Sequence, residues 1–215
     1  MSERKAKIAV FVSGGGTNLQ ALIDAQNSGI IKSGKIEVVI SSNPNAYAIK
    51  RALDASIDAV CVTKSEFDGS QEMFERKIIG IMRMLDIDII VLAGFMSILS
   101  ENFTKQFPNK IINVHPSLIP SFCGKGFYGL KVHEAALNYG VKVTGATVHF
   151  VNEIPDGGEI IMQKAVKIRE NDTPESLQKR VMKLAEWKIL PFAVEKVCNE
   201  IINNETENAK WIFIR

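Results

Sequence analysis

The sequence predicts an α/β fold with a single doubly wound, mostly parallel sheet of seven strands and helices on both faces. Short apolar runs alternate along the chain with longer amphipathic segments, which is the pattern of βαβ units. The apolar runs show little polar alternation, as expected for strands that are covered on both faces. A glycine-rich SGGGTN segment follows the first run, where such folds join a strand to a helix.

Seven short apolar runs predict the strands of this sheet. They are bounded by turn-forming residues, such as SSNPNA after the second run, and they are too short for helices. The last run is a candidate for antiparallel pairing. The predicted strands are Lys7–Val12, Ile36–Ile40, Ala59–Val62, Ile87–Leu92, Lys110–Val114, Val143–Val151 and Ile160–Val166.

Five longer amphipathic segments predict the helices. In the third of them, apolar residues recur about every 3.6 positions, which is the period of a helix with one buried face. The last segment contains Pro191, which marks a candidate interruption because proline cannot donate a backbone hydrogen bond. The predicted helices are Leu19–Gln26, Ala46–Ala55, Gln71–Leu85, Val132–Asn138 and Thr173–Asn199.

Length and composition indicate one globular domain over residues 1–215. A net charge of +2 gives no argument for binding to nucleic acid or to an anionic membrane. The N-terminal apolar stretch is too short for a signal peptide or a spanning helix, so we expect a cytoplasmic protein. The cysteines Cys61, Cys123 and Cys198 are widely spaced, which favours neither a zinc site nor a disulfide framework.

The glycine loop predicts an anion site after the first strand. Ser13–Asn18 would lie at the carboxyl edge of the sheet, where bare glycines let backbone N–H groups approach a phosphate closely. The loop is not a GxGxxG dinucleotide motif, because the third glycine would fall at Leu19, and no P-loop lysine follows. We therefore expect a phosphate monoester, and a tight turn without a ligand stays open as the alternative.

Asn113, His115 and Asp156 form a candidate catalytic group. Asn113 and His115 are two residues apart on an extended segment, so their side chains share a face, and Pro116 restricts the backbone of His115. Asp156 lies between Pro155 and two glycines, in a loop that can hold a carboxylate against a neighbouring element. Contact with Asp156 would orient His115 and raise its pKa. A carboxamide, an imidazole and a carboxylate suit acyl transfer.

Other interpretations of the histidines stay open at this point. His115 alone is also consistent with a packed or capping residue at a strand end, and His149 with either the core edge or a ligand contact. We expect His133 to be structural. A metal site made of His115, His149 and Asp156 has suitable residue types, but no local ligand spacing supports it.

Five segments of the chain resemble the folate-dependent formyltransferases, in the family order and with the family spacing. They are VFVSGGGTNLQALI, DIIVLAGFMSILS, IINVHPSLIPSF, GVKVTGATVHFV and DGGEIIMQ, within residues 7–195. Within the family, the chain is most similar to the branch that formylates glycinamide ribonucleotide. The resemblance implies formyl transfer from 10-formyltetrahydrofolate to the amine of that substrate, with no metal. It also implies small-molecule partners only, and a monomer or weak homodimer.

The resemblance assigns roles to individual residues. It implies that Asn113, His115 and Asp156 are catalytic, and that Glu186 binds the ribose hydroxyls. The predicted phosphate-binding residues are Gly15, Gly16, Thr17 and Asn18. The predicted folate-binding residues are Gln71, Leu92, Phe95, Met96, Ser97, Ile98, Leu99, Asn113, Val151, Asn152, Glu153, Ile154, Pro155 and Asp156.

These assignments divide the predicted domain into a phosphate-binding half near residues 1–100, a folate and catalytic half near 100–200, and a tail at 203–215. The final WIFIR segment of the tail is a candidate to pack back on the domain.

The chain departs from the family pattern in two places. Gln71 and Ser97 stand where the family often has arginine, which removes partners for the glutamate tail of the folate. The Cys123–Gly129 loop is longer than usual. Two other functions stay open: a hydrolase that releases formate from the folate, and a non-enzymatic module that binds a phosphometabolite.

Overall fold

The computed structural model describes residues 4–212, and the side chains of residues 4–204. The strands are β1 (Ala6–Val12), β2 (Gly34–Ser41), β3 (Asp58–Cys61), β4 (Ile89–Leu92), β5 (Ile111–His115), β6 (Val143–Phe150) and β7 (Ile160–Lys167). They form one seven-stranded sheet in the order β3-β2-β1-β4-β5-β6-β7. The predicted α/β fold with a mostly parallel sheet of seven strands is confirmed.

Four of the five predicted helices lie close to their predicted positions, whereas the fifth, predicted at Thr173–Asn199, is divided and continues to Ile212, and the helix at Glu101–Thr104 was not predicted. The helices are α1 (Thr17–Asn27), α2 (Tyr47–Asp54), α3 (Gln71–Met84), α4 (Glu101–Thr104), α5 (Leu130–Tyr139), α6 (Pro174–Val181) and α7 (Trp187–Ile212). A 3₁₀ turn at Lys64–Phe67 and a π-helical segment at Met182–Glu186 complete the described helical elements. None of the helices in the described part of the chain is both long enough and apolar enough to cross a membrane.

The chain divides into two compact units. The first unit comprises the residues up to Ser97 together with those from Pro191 onward, and the second unit is Ile98–Leu190. The single domain predicted for residues 1–215, with its halves meeting near residue 100, stays a prediction.

Parallel pairing builds the sheet of the first unit. β1 pairs with β2 and β4, and β2 pairs with β3, all in parallel. The apolar side chains of β1 are fully buried, including Ile8, Val10 and Phe11, which explains the absence of polar alternation. Cys198 packs into the same core, where burial raises the pKa of its thiol to about 12.

Antiparallel pairing builds the sheet of the second unit. β6 pairs with β5 on one side and with β7 on the other, so the antiparallel candidate is confirmed. In this register Asn113 lies opposite His149 and His115 lies opposite Thr147. The pairing therefore places the polar residues at the end of β5 beside polar residues of β6.

The predicted interruption at Pro191 is wrong in its position. Pro191 lies inside α7, and the irregular turn lies upstream of it at Met182–Glu186. A proline ring clashes with the carbonyl four residues before it, which here belongs to Trp187. Trp187 has ψ −10°, away from helical values, so the disturbance falls one turn earlier than the proline.

The tail prediction concerns residues that are only partly described. The backbone of α7 continues to Ile212. The predicted packing of WIFIR involves side chains that lie outside the described residues.

Gly145 offers a test of the β6–β7 pairing. A Cβ on Gly145 would lie 2.1 Å from the Lys164 carbonyl oxygen and 2.8 Å from Leu118 Cδ2. We expect Gly145→Ala to lower the free energy of unfolding by about 3 kcal/mol, because the strands must separate to admit the methyl group. Denaturant unfolding measures this change.

The matched control is Gly80→Ala in α3, where an added Cβ meets nothing within 4 Å. Alanine loses less conformational freedom than glycine in a helix, so this variant should gain about 0.5–1 kcal/mol. A Gly145→Ala variant as stable as the wild type would contradict the described register.

Candidate active site

Asn113 and His115 occupy the end of β5 in the second unit. Their alternate positions on the strand put both side chains on one face, as predicted. His115 is only 4% exposed, and Asn113 is half-buried. The strand therefore presents a carboxamide and an imidazole in a largely dehydrated setting.

A tight turn after β6 carries Asp156. Its backbone has φ 56°, a left-handed conformation that aspartate tolerates better than most residues. The turn is closed by a hydrogen bond from Gly157 N–H to the Ile154 carbonyl at 3.0 Å. Gly158 then passes so close to β6 that a Cβ would lie 1.8 Å from the Phe150 carbonyl oxygen. The two glycines thus allow the carboxylate to turn back toward the strand ends.

The Asp156 carboxylate lies between two imidazole rings. Its Oδ2 is 3.5 Å from Nδ1 of His115, and its Oδ1 is 3.5 Å from Nε2 of His149. Oδ2 also accepts a hydrogen bond from the Gly124 N–H at 2.8 Å. The predicted contact between Asp156 and His115 is therefore present in the structure.

Burial and neighbouring groups act in opposite directions on the pKa values of His115 and Asp156. Burial lowers the pKa of His115 below its ordinary value, although the Asp156 carboxylate and the Phe122 carbonyl both raise it. Burial raises the pKa of Asp156, but His149, the Gly124 N–H and His115 together hold it below its ordinary range. Asp156 raises the pKa of His115 as expected, but burial outweighs this contribution, because dehydrating the imidazolium costs more free energy than the carboxylate returns. The lowered pKa favours the neutral form of His115 at pH 7.

Both ring nitrogens of His115 face acceptors. Nε2 lies 2.9 Å from the carbonyl oxygen of Phe122, and Nδ1 faces Asp156. A neutral imidazole has one N–H, so it can donate to only one of these two groups at a time. The single N–H of the neutral ring therefore has two alternative acceptors, a backbone carbonyl and a carboxylate.

His149 is the fourth member of the cluster, and the predicted catalytic group did not include it. It is 1% exposed, and its Nε2 lies 3.2 Å from Nδ2 of Asn113. Nδ1 lies 2.8 Å from the Phe150 carbonyl oxygen, which can only accept, so this nitrogen carries a proton. Nε2 of His149 therefore faces both the Asn113 carboxamide at 3.2 Å and the Asp156 carboxylate at 3.5 Å. In the sequence, the signal for His149 as a site residue was its position in TVHFV, but only the β5–β6 register identifies its partners.

The Cys123–Gly129 loop and the residue before it contribute directly to this cluster. Gly124 N–H binds Asp156, and the preceding Phe122 supplies the carbonyl that faces His115. The Cys123 thiol donates to the Pro120 carbonyl at 3.2 Å. Burial raises the pKa of this thiol, and the Asp156 carboxylate raises it further. The loop therefore supplies backbone groups, whereas its cysteine stays protonated.

The glycine loop of the first unit has the donors that an anion needs. Gly16 adopts φ 70° and packs so tightly on α2 that a Cβ would lie 2.6 Å from Ala48 Cβ. The first hydrogen bond of α1 runs from Gln20 N–H to the Gly16 carbonyl at 2.9 Å. Within the described residues, the N–H groups of Gly15, Gly16 and Thr17 donate to no protein acceptor. These three consecutive backbone donors lie at the N-terminus of α1, where the helix dipole is positive.

The remaining substrate and folate assignments are distributed over both units. In the first unit Gln71 opens α3 and donates to Glu75, Phe95 packs on Phe11 with ring centroids 5.2 Å apart, and Met96 N–H donates to Ser13 Oγ at 2.8 Å. The half-buried positions there also include Leu92 and Ser97.

In the second unit Glu186 is buried in the π-helical segment, and Ile154 N–H donates to Asn152 Oδ1 at 3.0 Å. Met96 of the first unit and Ile98 of the second are 60% and 82% exposed, a high value for apolar side chains. Leu99 and Val151 are half-buried, and Glu153 and Pro155 are exposed. The binding roles of all these residues stay predictions.

Metal-ligating side chains do not cluster in the described part of the chain, where no group of three or more His, Cys, Asp and Glu residues is arranged to hold an ion. The histidines of the candidate site instead pair with a single carboxylate and with backbone carbonyls.

Comparison with known proteins identifies the family. Residues 6–194 match the family described as formyl transferase, so the chain belongs to the formyl transferase family. It is 41% identical over 189 residues to phosphoribosylglycinamide formyltransferase of Haemophilus influenzae, which covers 88% of this chain and 85% of that protein. The crystal structure of glycinamide ribonucleotide transformylase 1 from Symbiobacterium toebii superimposes with a TM-score of 0.84 at 38% identity, covering 91% of this chain and 89% of that one.

A longer human protein is also similar to the chain. The trifunctional purine biosynthetic protein adenosine-3 of Homo sapiens is 40% identical over 213 residues, which is 99% of this chain. The chain spans 20% of that protein's length.

His133 predicts a pH dependence of stability. It is fully buried on α5, and neither ring nitrogen has a hydrogen-bond partner among the described residues. Burial, with a smaller effect of His115, lowers the pKa of His133 to about 4. A histidine with a depressed pKa contributes stability above its unfolded pKa of about 6.5 and loses it as the pH falls toward the folded value.

We expect this loss to be about 3 kcal/mol between pH 7 and pH 4. Denaturant unfolding of the wild type and of His133→Leu at several pH values measures it. The variant should show a shallower decline in the free energy of unfolding over this range. Parallel declines in the two proteins would contradict the low pKa of His133.

Proposed function

We propose that this protein is a phosphoribosylglycinamide formyltransferase. It transfers the formyl group of 10-formyltetrahydrofolate to the primary amine of glycinamide ribonucleotide, giving formylglycinamide ribonucleotide and tetrahydrofolate for purine biosynthesis. The observation that carries this proposal is the buried cluster of a carboxamide, two imidazoles and a carboxylate at the end of β5, in a chain of the formyl transferase family. The relatives named for this activity support it.

The substrate amine attacks the formyl carbon directly in the proposed reaction. A bond forms between the amine nitrogen and the formyl carbon, the formyl oxygen becomes an oxyanion, and the bond from that carbon to N10 of the folate then breaks. The Asn113 carboxamide donates an N–H to the oxyanion, and its contact with His149 at 3.2 Å supports a fixed orientation for that donor.

His115 moves the protons of the reaction. The attacking amine must lose a proton, and N10 of tetrahydrofolate must gain one, so a group that stays neutral at pH 7 and accepts and returns a proton is required. The depressed pKa of His115 suits the accepting step, and Asp156 at 3.5 Å stabilises the imidazolium that forms. Nε2 of His115 leaves the Phe122 carbonyl to contact the reacting groups, because Nδ1 stays against Asp156.

The ribonucleotide phosphate binds the glycine loop. The N–H groups of Gly15, Gly16 and Thr17 have no protein acceptor within the described residues, and they lie at the N-terminus of α1, whose dipole favours an anion. Asn18 belongs to the same binding loop. The Glu186 carboxylate accepts hydrogen bonds from the ribose hydroxyls.

The folate binds through backbone groups of residues 95–99 and 151–156, with apolar walls from Leu92, Phe95 and Val151. Uncharged Gln71 and Ser97 give its glutamate tail little electrostatic attraction. We further propose that the protein works in the cytoplasm on small molecules only, as a monomer or weak homodimer.

A single-turnover assay tests this function. The purified protein is mixed with 10-formyltetrahydrofolate, with and without glycinamide ribonucleotide, and tetrahydrofolate, formate and the formylated ribonucleotide are measured. We expect tetrahydrofolate to appear only when the ribonucleotide is present, with one formylated product for each folate consumed.

Other outcomes distinguish the alternatives. Formate release without the amine would identify a hydrolase and overturn the transferase. Ribonucleotide binding without any turnover, and unaffected by His115→Ala, would identify a non-enzymatic binding module.

A further inference from the structure

Arg51 lies beside the glycine loop of the first unit and has no role in the function proposed above. It is part of α2, and its Nε donates to the Gly15 carbonyl at 2.8 Å while Nη1 donates to Gln20 Oε1 at 2.9 Å. The guanidinium carbon also lies 5.0 Å from the centre of the Tyr47 ring, in cation–π contact. Three contacts therefore fix this side chain against the loop.

The charge of Arg51 is not neutralised by a carboxylate within the described residues. The preceding residue on α2, Lys50, pairs with Asp54 at 2.9 Å. Arg51 instead contacts a carbonyl, an amide oxygen and an aromatic ring, and its Nη2 has no protein partner in the same part of the chain. A full positive charge thus remains next to the loop, where it favours an anion.

The contact between Arg51 and Gly15 orients the loop peptides. The carbonyls of Gly14 and Gly15 both face α2, because Ala48 N–H donates to the first at 3.1 Å and Arg51 to the second at 2.8 Å. In a trans peptide the carbonyl and the following N–H point in opposite directions. The N–H groups of Gly15 and Gly16 therefore face away from α2. Without Arg51, glycine would let the second peptide rotate.

We propose that Arg51 is a positioning residue for the substrate phosphate. Its two-pronged contact with Gly15 and Gln20 holds the peptide whose N–H meets the anion, and its charge adds to the positive potential of the loop. This inference rests on the proposed function, because it assumes that the phosphate of the ribonucleotide binds this loop.

Two substrates and three variants test the role. Steady-state kinetics are measured with glycinamide ribonucleotide and with glycinamide riboside, which lacks the phosphate, for the wild type, Arg51→Met, Arg51→Lys and the charge control Lys50→Met. We expect Arg51→Met to raise KM for the ribonucleotide by about 10- to 100-fold, with kcat within roughly threefold of the wild type. KM for the riboside should not change.

Arg51→Lys separates orientation from charge. Lysine keeps the charge but lacks the planar fork that reaches two acceptors, so we expect a smaller but clear rise in KM for the ribonucleotide. Lys50→Met removes one charge from the same helix and should leave both KM values unchanged. Thermal unfolding checks that each variant is folded. If Arg51→Met does not fold, the KM values of Arg51→Lys decide the test.

Several outcomes would overturn the inference. A wild-type KM for the ribonucleotide in Arg51→Met, or equal losses with both substrates, would leave Arg51 with no function or only a structural one. Wild-type behaviour of Arg51→Lys would mean that charge alone matters and would refute the orienting contact. A wild-type enzyme that does not distinguish the ribonucleotide from the riboside would instead refute the proposed phosphate site.

Discussion

The candidate active site depends on one carboxylate that is shared by two buried imidazoles. Asp156 lies 3.5 Å from His115 through one oxygen and 3.5 Å from His149 through the other. In a dehydrated setting this charge is the main influence that opposes the burial of an imidazolium, so it determines how readily His115 takes up a proton. The His149 ring that faces this carboxylate also contacts the Asn113 carboxamide, which is the proposed oxyanion donor.

Much of the surrounding structure serves to hold this carboxylate in place. The left-handed backbone of Asp156 and the close approach of Gly158 to β6 return the side chain toward the strand ends. The antiparallel β5–β6 register sets Asn113 opposite His149, and the Gly124 N–H binds the carboxylate from the long loop. The Cys123–Gly129 loop thereby contributes a backbone N–H group to the site.

The sequence predicted the fold because buried strands produce uninterrupted apolar runs, and it predicted that Asn113 and His115 share a face because side chains alternate along a strand. It left His149 open between the core edge and a ligand contact, since the residue opposite Asn113 is set by a register between distant segments. It predicted that Asp156 raises the pKa of His115, but not that burial, which is a tertiary property, outweighs this charge. Pro191 indicated an irregular helix, but the π-helical segment at Met182–Glu186 lies upstream of the proline. Local sequence patterns thus specified the helices and strands, whereas the pKa of His115 depended on long-range packing.

The most direct test is the NMR titration of the His115 ring in the wild type and in Asp156→Asn, together with kcat. The substitution keeps the size of the side chain and its tolerance of a left-handed backbone, but it removes the charge that raises the pKa of His115. We predict a wild-type pKa below the ordinary value of about 6.5, a still lower pKa in the variant, and a fall in kcat of about 10²–10⁴-fold. A variant with the wild-type pKa of His115 and the wild-type kcat would contradict the account and leave Asp156 as a turn residue only.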